Sequence, residues 1–442
     1  MYKYLIIGNS AGGLGAAEAI RKVDSVGSVA IVTEEECHVY SRAMIPFYLS
    51  GKISFTNLFV RPPDFYQKKN ISLVLGRVTE LDSSRKQVTL ESGDRISYEI
   101  LLIAVGGKPF IPEITGIERK NIFTFTGLQD AHRIKGKLQS GKVKKVVVLG
   151  GGLIGLLATE ALCPRVDVTV VELADRILSP VLDEVASGIV KKKFEDNGVE
   201  IITGHTVKKV LGQKDRKKVS EVVLDGGEKI AFEMLIIAIG VVPRTEITKG
   251  TDIKVNRGIV VDHHMETSTP GIFACGDCAE VYDFALDTAR LTPLWPNAYV
   301  GGMIAGYNMA CIKREYNWGT AMSAMHFFGF PVISAGLVNT PVFSMRLGST
   351  PTADPKKQAD NFEILTTRSG DDYKKLVLKD EVIVGMVLAG KIERAGILLD
   401  LMRRKVKTTA FKSMLLGDDF GLVCVPENMR LEMSAGGEAC TT

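Results

Sequence analysis

The residues best suited to chemistry in this sequence are glycines, and they fall in two clusters. Gly8, Ser10, Gly12 and Gly13 follow the apolar stretch Lys3 to Ile7, and Gly150, Gly152 and Gly155 follow Lys145 to Leu149. The second cluster is a complete G-x-G-x-x-G, whereas the first has Ser10 at the middle glycine position. Glycine lets a backbone approach a pyrophosphate, whose charge is met by amide N–H groups at a helix N-terminus. Strand, glycine turn and helix in that order make a dinucleotide site, and two copies carry far more weight than one.

The elements around each cluster repeat as well. Helical stretches follow at Leu14 to Arg21 and Leu156 to Leu162, then strands Val29 to Thr33 and Val168 to Val171, each ending in an acid, Glu34 and Glu172. A carboxylate there can accept hydrogen bonds from the ribose hydroxyls of an adenosine. The plainer alternative is an acid that merely ends a strand, and it is stronger for Glu34, which has Glu35 and Glu36 beside it. Each copy closes on an apolar strand running into glycine, Leu101 to Gly107 and Leu235 to Gly240. Downstream, TSTPGIFACGDCAE at Thr267 to Glu280 delivers Gly276 and Asp277 at the end of a short strand, where an Asp can bind a polyol.

Composition narrows the function classes. A chain of 442 residues implies about two to four domains. The net charge of +4, with basic runs only at Lys142 to Lys145 and Lys214 to Lys218, gives solvated faces and no nucleic-acid footprint. The longest apolar runs, Ile100 to Val105 and Met234 to Ile239, are far short of the roughly 20 residues of a spanning helix. Met1 to Ile7 leads straight into the first glycine turn and reads as a buried strand, not a signal peptide. Seven scattered cysteines fit a reducing compartment, so a cytoplasmic protein is expected. Cys275 and Cys278 form C-x-x-C, but they flank Asp277 and lack a second ligand pair, so packing is expected and no metal. His263 and His264 are expected on a strand, pointing to opposite faces. His326 is expected to be an ordinary surface or core histidine, with a catalytic role the lesser alternative.

GNSAGG, GGGLIG, LLIAVGG, LIIAIGVVP and IFACGDCAE, in this order across residues 1 to about 410, resemble the FAD and NAD(P)-dependent pyridine nucleotide-disulfide oxidoreductase superfamily. The resemblance implies an α/β fold with two Rossmann-like dinucleotide-binding domains and a C-terminal α+β domain. The FAD domain would be discontinuous, 1–112 and 246–322, with an NAD domain at 113–245 and an interface domain at 323–442. It implies FAD contacts from Gly8, Ser10, Gly12, Gly13, Glu34, Ser41, Arg42, Ala104, Gly106, Asp277 and Ala298. For NAD it implies Gly150, Gly152, Leu153, Ile154, Gly155, Glu172 and Gly240. A helix over Asn297 to Asn308, just after Trp295 and Pro296, would point its N-terminus at the flavin pyrimidine. Glu172 favours NADH over NADPH, because a carboxylate repels a 2′-phosphate and Leu173 and Ala174 supply no cation; Arg176 is the nearest.

The segment Tyr40 to Gly51, YSRAMIPFYLSG, separates branches of that superfamily. Aligned on Pro46, Ala43 stands where oxidase, peroxidase and coenzyme A-disulfide reductase members carry a redox cysteine. Without a thiolate to attack sulfur, disulfide and thiol-peroxide chemistry are disfavoured. The segment instead resembles a cysteine-free branch: NADH:rubredoxin reductases, the flavin portion of NADH-dependent nitrite reductases, and flavin subunits of iron–sulfur oxidoreductases. Tyr373 to Arg404 is similar to that branch's small terminal domain.

The implied activity is that of an NAD(H):acceptor oxidoreductase. Hydride would pass between nicotinamide and flavin, and single electrons would be exchanged with rubredoxin, ferredoxin or an iron–sulfur subunit. That step requires no acid, base or nucleophile, so no catalytic residue is assigned. The rival readings are an NADH oxidase, a coenzyme A-disulfide reductase-like enzyme with an unusual thiol, and a non-catalytic flavin-bearing subunit. A homodimer or a place in a hetero-oligomer is expected. Two positions depart from the family: Leu157, where many relatives have a Glu near the nicotinamide, and Gly301, where a Gln near the flavin is common.

Overall fold

The structure is a computed structural model that describes residues 1–212, 219–339 and 362–435. The basic run Lys214 to Lys218 lies outside the described residues. The chain divides into two compact units, Met1–Leu173 with His205–Asp283 and Asp287–Gly319, and Ala174–Gly204 with Phe284–Leu286 and Thr320 onward.

The first unit contains the repeated pattern. Its elements in chain order are β1 (Tyr2–Ile7), α1 (Ala11–Val23), β2 (Val29–Thr33), α2 (Ile45–Ser50), β3 (Ile71–Leu75) and β4 (Arg95–Ile103). Then come β5 (Gly107–Pro109), β6 (Ile122–Thr124), α3 (Leu128–Gln139), β7 (Lys145–Leu149), α4 (Leu153–Leu162), β8 (Asp167–Glu172), β9 (Met234–Ile237) and β10 (Val241–Pro243). β11 (Ile272–Ala274) and α5 (Trp295–Met309) complete the set used below.

One parallel sheet has the order β3-β2-β1-β4, with β11 added beside β4. Another places β7 between β8 and β9, with β6 beyond β9. β1 between β2 and β4 thus has the same neighbours as β7 between β8 and β9. The strands are continuous apolar runs because both faces are covered: all of β2 and β9 is buried, as is β7 after Lys145.

Both glycine-turn helices begin three residues earlier than the sequence pattern predicts, at Ala11 and Leu153. Gly12, Gly13 and Gly155 are therefore helical, since a glycine inside a first turn still makes helix bonds. Trp295 and Pro296 likewise lie within α5 and not before it, because a proline lacking its N–H suits a first turn. His263 and His264 occupy a turn, not a strand. Asp262 Oδ1 accepts from the backbone N–H groups of His264 and Glu266, and Met265 has φ of 64°.

The second unit holds a five-stranded antiparallel sheet in the order Met322–Phe327, Phe330–Gly336, Val382–Ala389, Asp372–Lys379 and Phe362–Ser369. The helix Ala395–Arg403 packs on it. A helix at Glu184–Asp196 belongs to the same unit, and Asp183 ties it to the sheet. Asp183 caps that helix through Ala186 N–H, accepts from Tyr373 Oη at 2.6 Å and pairs with Lys375 at 3.1 Å. His326 is exposed on its strand. Among the described residues no helix is long and apolar enough to cross a membrane, and no group of three or more His, Cys, Asp or Glu could hold a metal.

Candidate cofactor sites

Both turns are built by the same bonds. Gly8 N–H donates to Val32 O and Gly150 N–H to Val171 O, each at 2.8 Å, while Ala104 N–H donates to Ile7 O and Ala238 N–H to Leu149 O, also at 2.8 Å. Gly8 and Gly150 have φ of 116° and 112°, a region that disfavours any side chain. A Cβ on Gly8 would sit 2.2 Å from Ala104 O, and one on Gly150 2.4 Å from Ala238 O. Cβ atoms on Gly13 and Gly155 would each meet the first glycine's carbonyl oxygen at 1.9 Å. These four glycines are demanded by chain packing alone.

Gly152 differs from them: a Cβ there would meet nothing within 4 Å. Nothing in the fold asks for glycine at this N-cap, and the space around its Cα is open to whatever approaches from outside. Neither N-cap residue, Ser10 or Gly152, uses a side chain to cap its helix. The first-turn amides, which have no helical partners, are thereby left to an anion. A pyrophosphate fits both turns.

In the first copy the structure brings Gly8, Ser10, Gly12, Gly13, Ala104, Gly106, Asp277 and Ala298 to the C-terminal ends of β1, β4 and β11, the crevice where α/β sheets bind ligands. α1 and α5 lie side by side in parallel. A Cβ on Gly302 would lie 2.0 Å from Gly12 O, on Gly15 2.3 Å from Tyr299 O, and on Gly306 2.4 Å from Ala16 O. Backbone meets backbone along this seam, and the start of α1 lies beside Ala298 and Gly302 of α5. Gly276 packs against Ala298 there.

Burial raises the Asp277 carboxyl above the usual carboxylate range, while the Arg42 charge pulls it back. Arg42 is held by Thr126 O at 2.7 Å and Glu35 Oε1 at 2.8 Å. Ser41 donates its N–H to Leu58 O. Glu34 accepts from Arg244 Nη1 at 2.5 Å, across 210 positions of sequence. No spacing pattern could have revealed Arg244, because only the pairing of β5 with β10 carries it to the first acid.

In the second copy Gly150, Gly152, Leu153, Ile154, Gly155, Glu172 and Gly240 gather at the ends of β7, β8 and β9. Glu172 Oε2 accepts from Gly151 N–H at 2.6 Å. Leu157 is partly exposed on α4. Gly301 is buried, and a Cβ on it would face Cys275 and Met265, both at 3.5 Å. Its side-chain direction is thus into the core.

Ala43 is exposed, in the single turn Arg42–Met44 that leads into α2. α2 is pinned from the second copy. Arg165 donates to Leu49 O at 3.0 Å and Ser50 O at 2.6 Å, and the Lys135 ammonium lies 3.9 Å from the centre of the Tyr48 ring. Cations at the last carbonyls suit a helix C-terminus. Cys275 and Cys278 are fully buried, and Cys278 Sγ lies 3.3 Å from Cys275 O. Burial pushes the Cys278 thiol up to about 12 and Cys275 well above its ordinary value. Both side chains are packed in the core, and a protonated thiol is a poor nucleophile.

Residues 2–302 match the pyridine nucleotide-disulphide oxidoreductase family. The chain is 27% identical over 423 residues to the NADH-dependent phenylglyoxylate dehydrogenase subunit epsilon of Aromatoleum evansii, covering 94% of this chain and 95% of that one. It is 32% identical over 321 residues to an NADH oxidase of Methanocaldococcus jannaschii, covering 71% of each. A NAD-dependent persulfide reductase from A. fulgidus superposes with a TM-score of 0.83 at 25% identity, over 93% of this chain and 78% of that one. With two dinucleotide cradles in one unit and these matches, the chain belongs to the pyridine nucleotide-disulphide oxidoreductase family and is an FAD- and NAD(H)-dependent oxidoreductase.

Proposed function

We propose that this oxidoreductase exchanges electrons between NAD(H) and a one-electron carrier outside the chain, a rubredoxin, a ferredoxin or an iron–sulfur subunit. The observation that carries the reading is Ala43: the segment leading into α2 presents an exposed methyl group where a sulfur relay would need a thiol. The similarity to a subunit of an NADH-dependent dehydrogenase supports a partner that takes the electrons onward.

In this reading the amides at the start of α1 and α4 bind the two pyrophosphates, and Glu34 and Glu172 accept from the ribose hydroxyls. Asp277 accepts from the ribityl chain, and Arg42 positions that carboxylate electrostatically. Ser41, Ala104, Gly106 and Ala298 line the FAD crevice, while Leu153, Ile154 and Gly240 line the NAD crevice. FAD, when bound, accepts two electrons from the nicotinamide and releases them one at a time. The protein's contribution is orientation and exclusion of water. We assign residues 1–112 and 246–322 to FAD, 113–245 to NAD, and 323–442 to an interface with a second copy or a partner, working in the cytoplasm.

The resemblance to an NADH oxidase favours one second reading, in which oxygen is the acceptor. One experiment decides between them: the chain is assayed with NADH under air, then with an iron–sulfur protein added. Carrier-dependent turnover well above the rate in air supports the proposal. Turnover of tens per second on oxygen alone, with no gain from any carrier or copurifying iron–sulfur subunit, gives the oxidase reading instead.

A further inference from the structure

The acid that follows β2 is met by a cation from the far end of the inserted segment. Glu34 Oε1 accepts from Arg244 Nη1 at 2.5 Å. Among the described residues the second carboxylate oxygen, Oε2, has no such bond. The Glu34 and Arg244 side chains are 41% and 36% exposed, so a ligand can reach the pair.

An exposed ion pair on its own contributes little, since two long side chains must be ordered against water. Here the backbone orders the cation. β5 and β10 pair antiparallel, Val242 with Lys108 and Pro243 with Gly107. At one end of that ribbon Phe110 N–H donates to Gly240 O, and at the other Arg244 N–H donates to Gly106 O, both at 3.0 Å. Glu246, the next acid along the chain, is already paired with Lys108. Arg244 is thereby left to Glu34.

A carboxylate has two oxygens with lone pairs to spare. Held by Oε1, Glu34 is kept from swinging away and retains Oε2 for a hydroxyl donor, of which the ribose of an adenosine offers two on adjacent carbons. Ordering an acceptor before its ligand arrives removes part of the cost of binding.

We propose that Arg244 is a positioning residue for FAD, fixing Glu34 through Oε1 so that Oε2 meets the adenosine ribose hydroxyls. The grip on FAD then depends on a residue that follows the whole of residues 113–243, so the inserted segment must close before the FAD site is complete. The inference rests on the reading of Glu34 as the ribose acid of that site.

The test is a double-mutant cycle on FAD affinity, read from flavin fluorescence as apoprotein is titrated with FAD. Arg244→Gln should raise the Kd for FAD about fivefold, and Arg244→Lys should recover part of the loss. Once Glu34→Gln is present, Arg244→Gln should add nothing. A role confined to pinning the ribbon would lower the melting temperature and weaken FAD by the same factor in both backgrounds. That result would overturn the proposal, as would wild-type affinity in Arg244→Gln. Wild-type affinity in Glu34→Gln would overturn the reading of Glu34 and the inference with it, and a wild-type protein that takes up no FAD would overturn the reading of the first glycine turn. Should Arg244→Gln fail to fold, Arg244→Met runs the same cycle.

Discussion

Gly151 donates its backbone N–H to Glu172 Oε2 at 2.6 Å, so the acid that ends β8 is tied directly to the turn that precedes α4. The bond fixes the position of this side chain at the end of β8, beside the second glycine turn. NADH should therefore reduce the protein far faster than NADPH, and Glu172→Arg should narrow or invert the preference. A charge-assisted bond to ribose is worth about 1.5 to 3 kcal/mol, about tenfold to a hundredfold in kcat/KM. Stopped-flow reduction with each nucleotide measures it, and equal wild-type rates would remove Glu172 from this role.

Two glycine substitutions should behave oppositely. Gly302→Ala forces a methyl group to within 2.0 Å of Gly12 O, and both partners are backbone. It should destabilise by about 1 to 3 kcal/mol and shed FAD. Gly152→Ala meets no atom of the protein within 4 Å, so its melting temperature should stay near the wild-type value while the KM for NADH rises. Calorimetry beside nucleotide titration separates the two, and a large stability loss in Gly152→Ala would contradict the open turn.

Asp277 gives a pH dependence with a definite sign. Burial raises its folded carboxyl above the unfolded value, against a smaller lowering by Arg42. The protonated form is thus favoured by folding, and stability is lost as the pH rises from the usual carboxylate range through the raised value. Asp277→Asn should therefore melt higher than wild type at neutral pH in FAD-depleted protein. The gain should vanish in acid below the ordinary carboxylate range, and FAD should bind more weakly. A neutral-pH melting temperature below that of wild type would show that the charged carboxylate stabilises the fold.

The thiols should be bystanders. Burial pushes Cys37 and Cys163 up to about 11 and Cys278 up to about 12, leaving them protonated at working pH. Cys311 is exposed and should alkylate readily. Dye reduction by NADH should survive iodoacetamide treatment within a few-fold, as it should survive replacement of all seven cysteines where folding permits. Loss of turnover on changing one cysteine, with FAD retained, would place sulfur in the mechanism.

The repeated strand, glycine turn and acid were legible because each is local: a buried parallel strand is an unbroken apolar run, and the turn glycines sit at fixed offsets from it. Helix starts were displaced because glycine inside a first turn looks like loop in sequence. The proline of Trp295–Pro296 hid a helix start in the same way. His263 and His264 leave the expected strand because the Asp262 side chain, not their own pattern, makes the turn. Arg244, Arg165 and Lys135 were invisible, since each acts on a segment far away in the chain.

The backbone seam between α1 and α5 has a thermal consequence. Gly12, Gly15 and Gly302 leave no side-chain layer that could soften while the main chains stay together. The crevice proposed for FAD lies at the Gly12 end of that seam, so it should not open by local breathing ahead of the sheet beneath it. On heating, flavin release and loss of helical signal should coincide in one cooperative step. Amide hydrogens along α1 and α5 should exchange together, at the slow rate of the whole unit.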